Sequence, residues 1–528
     1  MTSDLRARHD AGRARERAAS LAPVALWTAV VGRSRRHVSV DSALLAVALG
    51  VAAALRMVNL GSVGLNSDEA VYAAQAASMS GNPHFTAVFP VVRAHPLLLQ
   101  MLMSPLYRSG VPDTVGRYVA AGFGIATVVL VYVLGRVLYD RRVGAVAALL
   151  IAVMPYHVMI SRQILLDGPM TFFATGALTC LALGARTERR RWFVAAGACL
   201  GMAALSKETA IILLGSGFVF LSLANQLWRP VRFLLAGVGL AVGIAWSYPL
   251  LTVLAGGARS GQSYLLWQLT RKPNHSFGFY LVDVGAAVGF LLLAVIAVDL
   301  IVRRVSSRSY SWRETLLLSW AGVPLLFFQV WPVKGFSYLL PIAPVVAVLA
   351  ARALCPSADR VPSRRRRVVS AVALSACLAT LAVPAVAGVV SPATSGLAGA
   401  GGTPGGREVG RWVAANVPEG AQLMTIGPSM ANLIQYYSGR RSDGLSVSPN
   451  PLHRNPTYQP ILNADAALKS GHYQYVVWDA YSAGRSPQFA ARALELAHRF
   501  HGQIVRVQSG RLHGKSGQQL IVIYKVTP

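Results

Sequence analysis

Long apolar runs alternate with short, mostly basic breaks along the first three-quarters of the chain. Each run is close to the ~20 residues that cross a bilayer as a helix. The first run covers about residues 41–58, and others follow at about 116–138, 143–160, 192–205, 233–254 and 368–390. Counting those between, about eleven spans are expected up to residue 390. Past a Gly/Pro/Ser/Thr-rich stretch at 391–406 the pattern changes. Helical periodicity appears at 407–416, 429–437, 464–469 and 488–499, and strand-like alternation at 422–426, 474–478, 503–508 and 519–526.

The breaks orient the bundle. Five proposed inner loops (140–142, 186–191, 228–232, 303–313, 352–367) hold 18 Lys/Arg in 41 residues. Five outer loops (59–115, 161–167, 206–208, 255–278, 331–335) hold 8 in 96 residues. By the positive-inside rule the N-terminus is cytoplasmic and the C-terminal part extracytoplasmic. The predicted fold is mainly α: a polytopic transmembrane helical bundle with a small C-terminal extracytoplasmic α/β domain. Its parts are a disordered basic tail (1–40), a transmembrane domain (41–390, with the long outer loop 59–115), a linker (391–406) and the outer domain (407–528).

Composition agrees with this division. The 528 residues are 54% hydrophobic and only 13% charged, with a net charge of +29. Membrane orientation accounts for much of that charge, which sets nucleic acid aside as a partner. The four cysteines sit in or beside apolar segments without metal-ligand spacing and read as small core residues. The glycine run at 401–406 lacks the Lys of a phosphate-binding loop. High Ala, Arg and Gly content suits a GC-rich bacterial genome, and the expected location is the bacterial plasma membrane.

Chemistry gathers at the outer ends of the spans. Asp68 and Glu69 follow the first run and open a helix-like stretch, whose N-terminal field favours ionised carboxylates. A simpler reading makes Ser67 or Asp68 a helix cap. His95, Arg162, Asp167, Lys207, Glu208 and Lys334 fall on the same side. Cations there run against the positive-inside bias and suit an anionic lipid head group, although snorkelling anchors are the competing explanation. Trp267, Arg271, Lys272 and His275 could line a sugar pocket or belong to an interfacial aromatic belt.

These elements, in this order, resemble the GT-C-fold membrane glycosyltransferases, specifically the protein O-mannosyltransferase and aminoarabinose transferase group (glycosyltransferase family 39-like). The matching pieces are Asn66-Ser67-Asp68-Glu69-Ala70-Val71-Tyr72, His95-Pro96-Leu97, Arg162 with Asp167, Lys207, and the stretch from Lys334 through Tyr338 to Pro341. Two departures stand out: Leu97 replaces a second proline, and Ser337 replaces a basic residue before Tyr338. The resemblance implies an enzyme using a polyprenyl-phosphate-linked sugar as co-substrate and an envelope glycan, lipid or protein as acceptor. Asp68 would be the general base, with Glu69 and Asp167 as further catalytic acids. Arg162, Lys207, Lys334, Tyr338 and His95 would bind the donor and its phosphate. No cofactor is expected to be required, with a divalent metal possible but not indicated. A transporter or flippase for lipid-linked sugars is the alternative, but the chain lacks the matching half-repeats such proteins show.

Overall fold

The computed structural model describes residues 40–528 except 92–94, 109–110, 225–230, 255–266, 269, 307–309, 356–362, 393–401, 456 and 513–514. Nearly all of the expected basic tail and most of the linker lie outside the described residues. Leu44–Pro528 form one compact unit; of the other, Met1–Ala43, only 40–43 are described.

Five helices among the described residues are long and apolar enough to cross a membrane: Val40–Met57, Val115–Leu138, Asp167–Thr187, Val231–Leu251 and Arg364–Val390. Two bent pairs raise the number to as many as seven. This is below the expected eleven, because several apolar runs are broken or short. The run expected at 143–160 bends by 62° between Arg141–Val153 and Pro155–Ser161. Pro155 has no N–H to give the carbonyl of Ile151. The buried Arg56 guanidinium fills the gap, donating to Ile151 O at 3.2 Å and Ala152 O at 2.9 Å. A second run bends by 97° between Tyr280–Val288 and Phe290–Val305. Its hinge is Gly289 at φ +104°, a conformation that L side chains rarely adopt. Glu208–Leu223 and Leu340–Leu354 are shorter apolar helices.

The C-terminal segment builds a five-stranded mixed sheet. Its strands are β1 (Leu423–Thr425), β2 (Ser442–Gly444), β3 (Tyr475–Asp479), β4 (Gln503–Leu512) and β5 (Lys515–Lys525), in the order β2-β1-β3-β5-β4. β1 runs parallel to β2 and β3, whereas β5 is antiparallel to β3 and β4. Sequence alternation picked out four of these strands. It missed β2, whose Ser-Asp-Gly has little intrinsic strand preference and is held by pairing with β1.

Two cores explain how the sheet is placed. One fills the helical bundle, around residues such as Leu150, Ile151, Leu317 and Leu340. The other joins the helix Ser67–Met79, through Ala70, Ala73 and Ala77, to Leu433, Ile521 and Ile523 of the sheet region. Polar contacts reinforce that junction. Arg407 Nε donates to Asp113 Oδ2 at 2.7 Å, and Tyr437 Oη donates to the same oxygen at 3.0 Å while accepting from Leu65 N at 2.8 Å. The long loop carrying Asp68 is thus clamped between the bundle and the sheet.

Candidate active site

The helix Ser67–Met79 starts with a reciprocal cap. Asn66 Oδ1 accepts from the backbone N–H of Asp68 and Glu69, both at 3.0 Å, and Glu69 Oε2 accepts from Asn66 N at 2.9 Å. The cap is therefore Asn66, not Ser67 or Asp68, because its side chain alone reaches back over the first turn. Asp68 is spared that duty and its carboxylate remains accessible.

Asp68 lines a cavity of about 900 Å³. His95, Asp167, Lys207, Lys334 and Tyr338 line the same cavity, although the sequence spreads them over more than half the chain. So do Trp267 and Arg271, with the guanidinium 4.7 Å above the Trp267 ring.

Two ion pairs line the cavity. Lys207 Nζ donates to both Asp167 oxygens, at 2.8 and 2.9 Å, and lies 4.7 Å above the Tyr338 ring. Burial opposes the Lys207 charge, but Asp167, Tyr338 and Glu208 together outweigh it and raise the pKa. His95 Nδ1 lies 3.0 Å from Glu208 Oε2, and the Tyr72 ring meets the imidazole edge-on. Here too burial opposes the charged form and the neighbouring carboxylate prevails, so the His95 pKa is raised. For Asp68, desolvation by the surrounding protein raises the carboxyl pKa; His95 and Lys207 pull against it. Lys334 Nζ donates to the carbonyl of Gln329 at 2.8 Å, at the end of the helix Trp312–Val330. Asn274 fixes its backbone, accepting from Lys334 N at 2.8 Å and donating to Lys334 O at 2.9 Å.

Two expected site residues lie elsewhere. Glu69 is fully buried and forked to Arg117, with Nε–Oε1 at 2.7 Å and Nη2–Oε2 at 2.6 Å; it also accepts from Ile164 N at 3.1 Å. A carboxylate so committed holds the loop, and no acceptor proton can reach it. Arg162 Nη1 donates to Leu55 O at 2.7 Å and Val58 O at 2.8 Å, satisfying carbonyls at the end of the first helix instead of facing the cavity. Neither Glu69 nor Arg162 lines the cavity.

Sequence reasoning passed over Arg117 and the far wall of the cavity. Arg117 is an arginine one residue into an apolar run, a signal that a buried partner exists. The far wall includes Ser446, Ser448, Asn455 and Tyr458, from a turn-rich segment without a motif. Among the described residues, no group of three or more His, Cys, Asp or Glu side chains is placed to hold a metal ion.

Comparison with known proteins agrees with this architecture. Residues 94–252 match the family model described as dolichyl-phosphate-mannose-protein mannosyltransferase. No curated protein matches the sequence significantly. Among solved structures, the chain is similar to ArnT from Cupriavidus metallidurans in the apo state, with 18% identity, a TM-score of 0.65, and coverage of 91% of this chain and 97% of that one. ArnT bound to undecaprenyl phosphate matches at 17% identity and a TM-score of 0.64, over 92% and 98% of the two chains. The oligosaccharyltransferase AglB from Archaeoglobus fulgidus, solved with an inhibitory peptide and a dolichol-phosphate, matches at 16% identity and a TM-score of 0.59, over 88% and 72%. With its apolar helices, its family match and these neighbours, the chain is a membrane protein of the GT-C glycosyltransferase fold.

Proposed function

We propose that the chain transfers a sugar from a polyprenyl-phosphate carrier to a hydroxyl acceptor on the extracytoplasmic side of a bacterial plasma membrane. The observation that carries this reading is the shared cavity: Asp68, Asp167, Lys207 and Lys334, from four separate segments, line it together. The lipid phosphates named in the neighbouring structures make such a carrier the natural donor class.

In this mechanism the acceptor oxygen attacks the anomeric carbon of the donor. The bond from that carbon to the phosphate oxygen breaks, and the electron pair leaves with the lipid phosphate. Asp68 takes the acceptor proton as general base. Lys207 and Lys334 neutralise the charge that grows on the leaving phosphate, with Tyr338 against Lys207 and His95 near Asp68. Asp167 orients Lys207 and, once phosphate competes for that ammonium, can turn to a sugar hydroxyl. With these cations supplied by the protein, the reaction requires no metal for charge neutralisation.

The test is transfer itself. Purified full-length protein in lipid nanodiscs, given radiolabelled polyprenyl-phosphate sugars and envelope extract, should move label from the carrier to a new product. Carrier that stays intact with every donor tried, or that only crosses the bilayer in sealed vesicles, would contradict the proposal.

A further inference from the structure

Asn432 joins two parts of the cavity that are far apart in the chain. It lies on the helix Pro428–Ser438, is 2% exposed, and its Nδ2 donates to Ser67 Oγ at 3.0 Å and to Tyr458 Oη at 2.9 Å. Ser67 directly precedes Asp68, and Tyr458 belongs to the segment that follows β2. That segment is also fastened elsewhere. Thr270 Oγ1 donates to Leu452 O, and Asn455 Oδ1 accepts from Thr457 N at 3.0 Å and Thr457 Oγ1 at 2.8 Å. The described residues between Ser446 and Tyr458 form a wall that Asn432 ties to the start of the Asp68 helix.

The wall has a distinct chemistry. It presents Ser446, Ser448, His453, Arg454, Asn455 and Tyr458 to the cavity. Val447 also borders it, yet its side chain is buried. With its oxygen engaged by Thr457, the group Asn455 can offer a ligand is its NH₂. Hydroxyl, amide, imidazole and guanidinium groups sit together, without a carboxylate among the described residues of the wall. The described residues of the segment are turns, bends and irregular backbone with the 3₁₀ turn Pro451–His453, and they offer no strand edge onto which an extended peptide could add. The large apolar side chain this segment exposes, Leu452, is not among those lining the cavity. A dense set of short hydrogen-bonding groups matches the ring of hydroxyls on a sugar.

Resting on the transferase reading above, we propose that this wall is the acceptor subsite and that the acceptor is a carbohydrate chain. One of its hydroxyls is held facing Asp68, while Asn432 keeps the wall and the base in register as a positioning residue. The bond formed joins that hydroxyl oxygen to the donor's anomeric carbon. The proton passes to Asp68, and the lipid phosphate departs with the electron pair.

The experiment uses full-length protein in nanodiscs, a radiolabelled polyprenyl-phosphate sugar, and envelope material separated into glycan, protein and lipid fractions. Label should appear in the glycan fraction, resist protease and be released by glycosidases. Asn455→Ala and Tyr458→Phe should each raise the half-saturating glycan concentration by about 10-fold, the loss of roughly one good hydrogen bond. The half-saturating donor concentration should change less than about two-fold, since neither side chain is a cation assigned to the phosphate. Tyr458→Phe keeps the ring, and matched thermal melting separates lost binding from lost fold. Label in the protein or lipid fraction overturns the carbohydrate assignment alone, as does an equal shift for donor and acceptor. Label in no fraction overturns the transferase reading on which the assignment stands.

Discussion

Lys207 and Asp167 are bound to each other, ammonium to both carboxylate oxygens, at 2.8 and 2.9 Å inside the cavity. Two groups with separate expected roles are thus one unit before any donor arrives. Removing one member leaves the other as a buried, unpaired charge, which costs about 3–5 kcal/mol when a buried pair is broken. Lys207→Ala and Asp167→Ala should each lower the thermal midpoint clearly. The double variant should be less destabilised than the sum of the two. A double-mutant cycle read by thermal melting checks this, and additive losses would show that the pair contributes nothing jointly.

The pair Glu69–Arg117 predicts a different phenotype. Both side chains are buried and neither lines the cavity. Arg117 also donates to Leu60 O at 2.7 Å and Val63 O at 2.8 Å, so it staples the loop that carries Asp68. Arg117→Met should therefore reduce yield and melting temperature, with a loss of about 3–5 kcal/mol. Donor affinity of the protein that does fold should stay near wild type. Limited proteolysis of the loop gives an independent check, with faster cleavage expected in the variant.

His95 and Glu208 set a pH dependence. The His95 pKa is raised in the folded protein. Its contribution to stability is then fully present below the unfolded value, about 6.5, and is lost as pH rises through the higher folded value. Glu208→Gln removes the partner, so the melting gap between wild type and variant should be wide near pH ~5.5 and narrow near pH ~8.5. A gap that widens with pH would mean that the pair is not an imidazolium–carboxylate pair.

Much of the site was legible because charge is rare in this chain. In an apolar background, Asp68, His95, Asp167, Lys207 and Lys334 stand out singly, and positive-inside bias sorts them to one side before any contact is known. What sequence could not show is which neighbour each one meets. Glu69 and Asp68 are adjacent, yet the helical turn sends one into a buried fork with Arg117 and leaves the other facing the cavity. Arg162 looked like a phosphate ligand, but its guanidinium meets the carbonyls at the end of the first helix. The Ser446–Tyr458 wall was invisible for another reason. Its groups are ordinary turn residues, and only the shared core between the helix Ser67–Met79 and the sheet brings them to Asp68. Prolines and glycines break or bend some of the apolar runs that composition alone reads as continuous, so five to seven helices among the described residues are long enough to cross a membrane.

The base itself has a pH signature. Desolvation raises the Asp68 pKa, and only the ionised carboxylate can take a proton. Turnover should therefore fall on acidification, with a midpoint shifted upward from the ordinary aspartate value. His95→Gln removes a nearby positive charge that favours the ionised form, so it should move that midpoint still higher. A pH profile of kcat/KM for the two proteins measures both.

The most direct measurement compares Asp68→Asn with Lys334→Ala in the label-transfer assay, at matched yield and melting temperature. Asn66 holds the helix start, so Asp68→Asn removes the base and leaves the fold intact. Its turnover should drop by about 10²–10⁴-fold with donor affinity nearly unchanged, the usual contribution of a general base. Lys334→Ala should weaken donor binding and turnover together. Near-normal turnover in Asp68→Asn would contradict the mechanism.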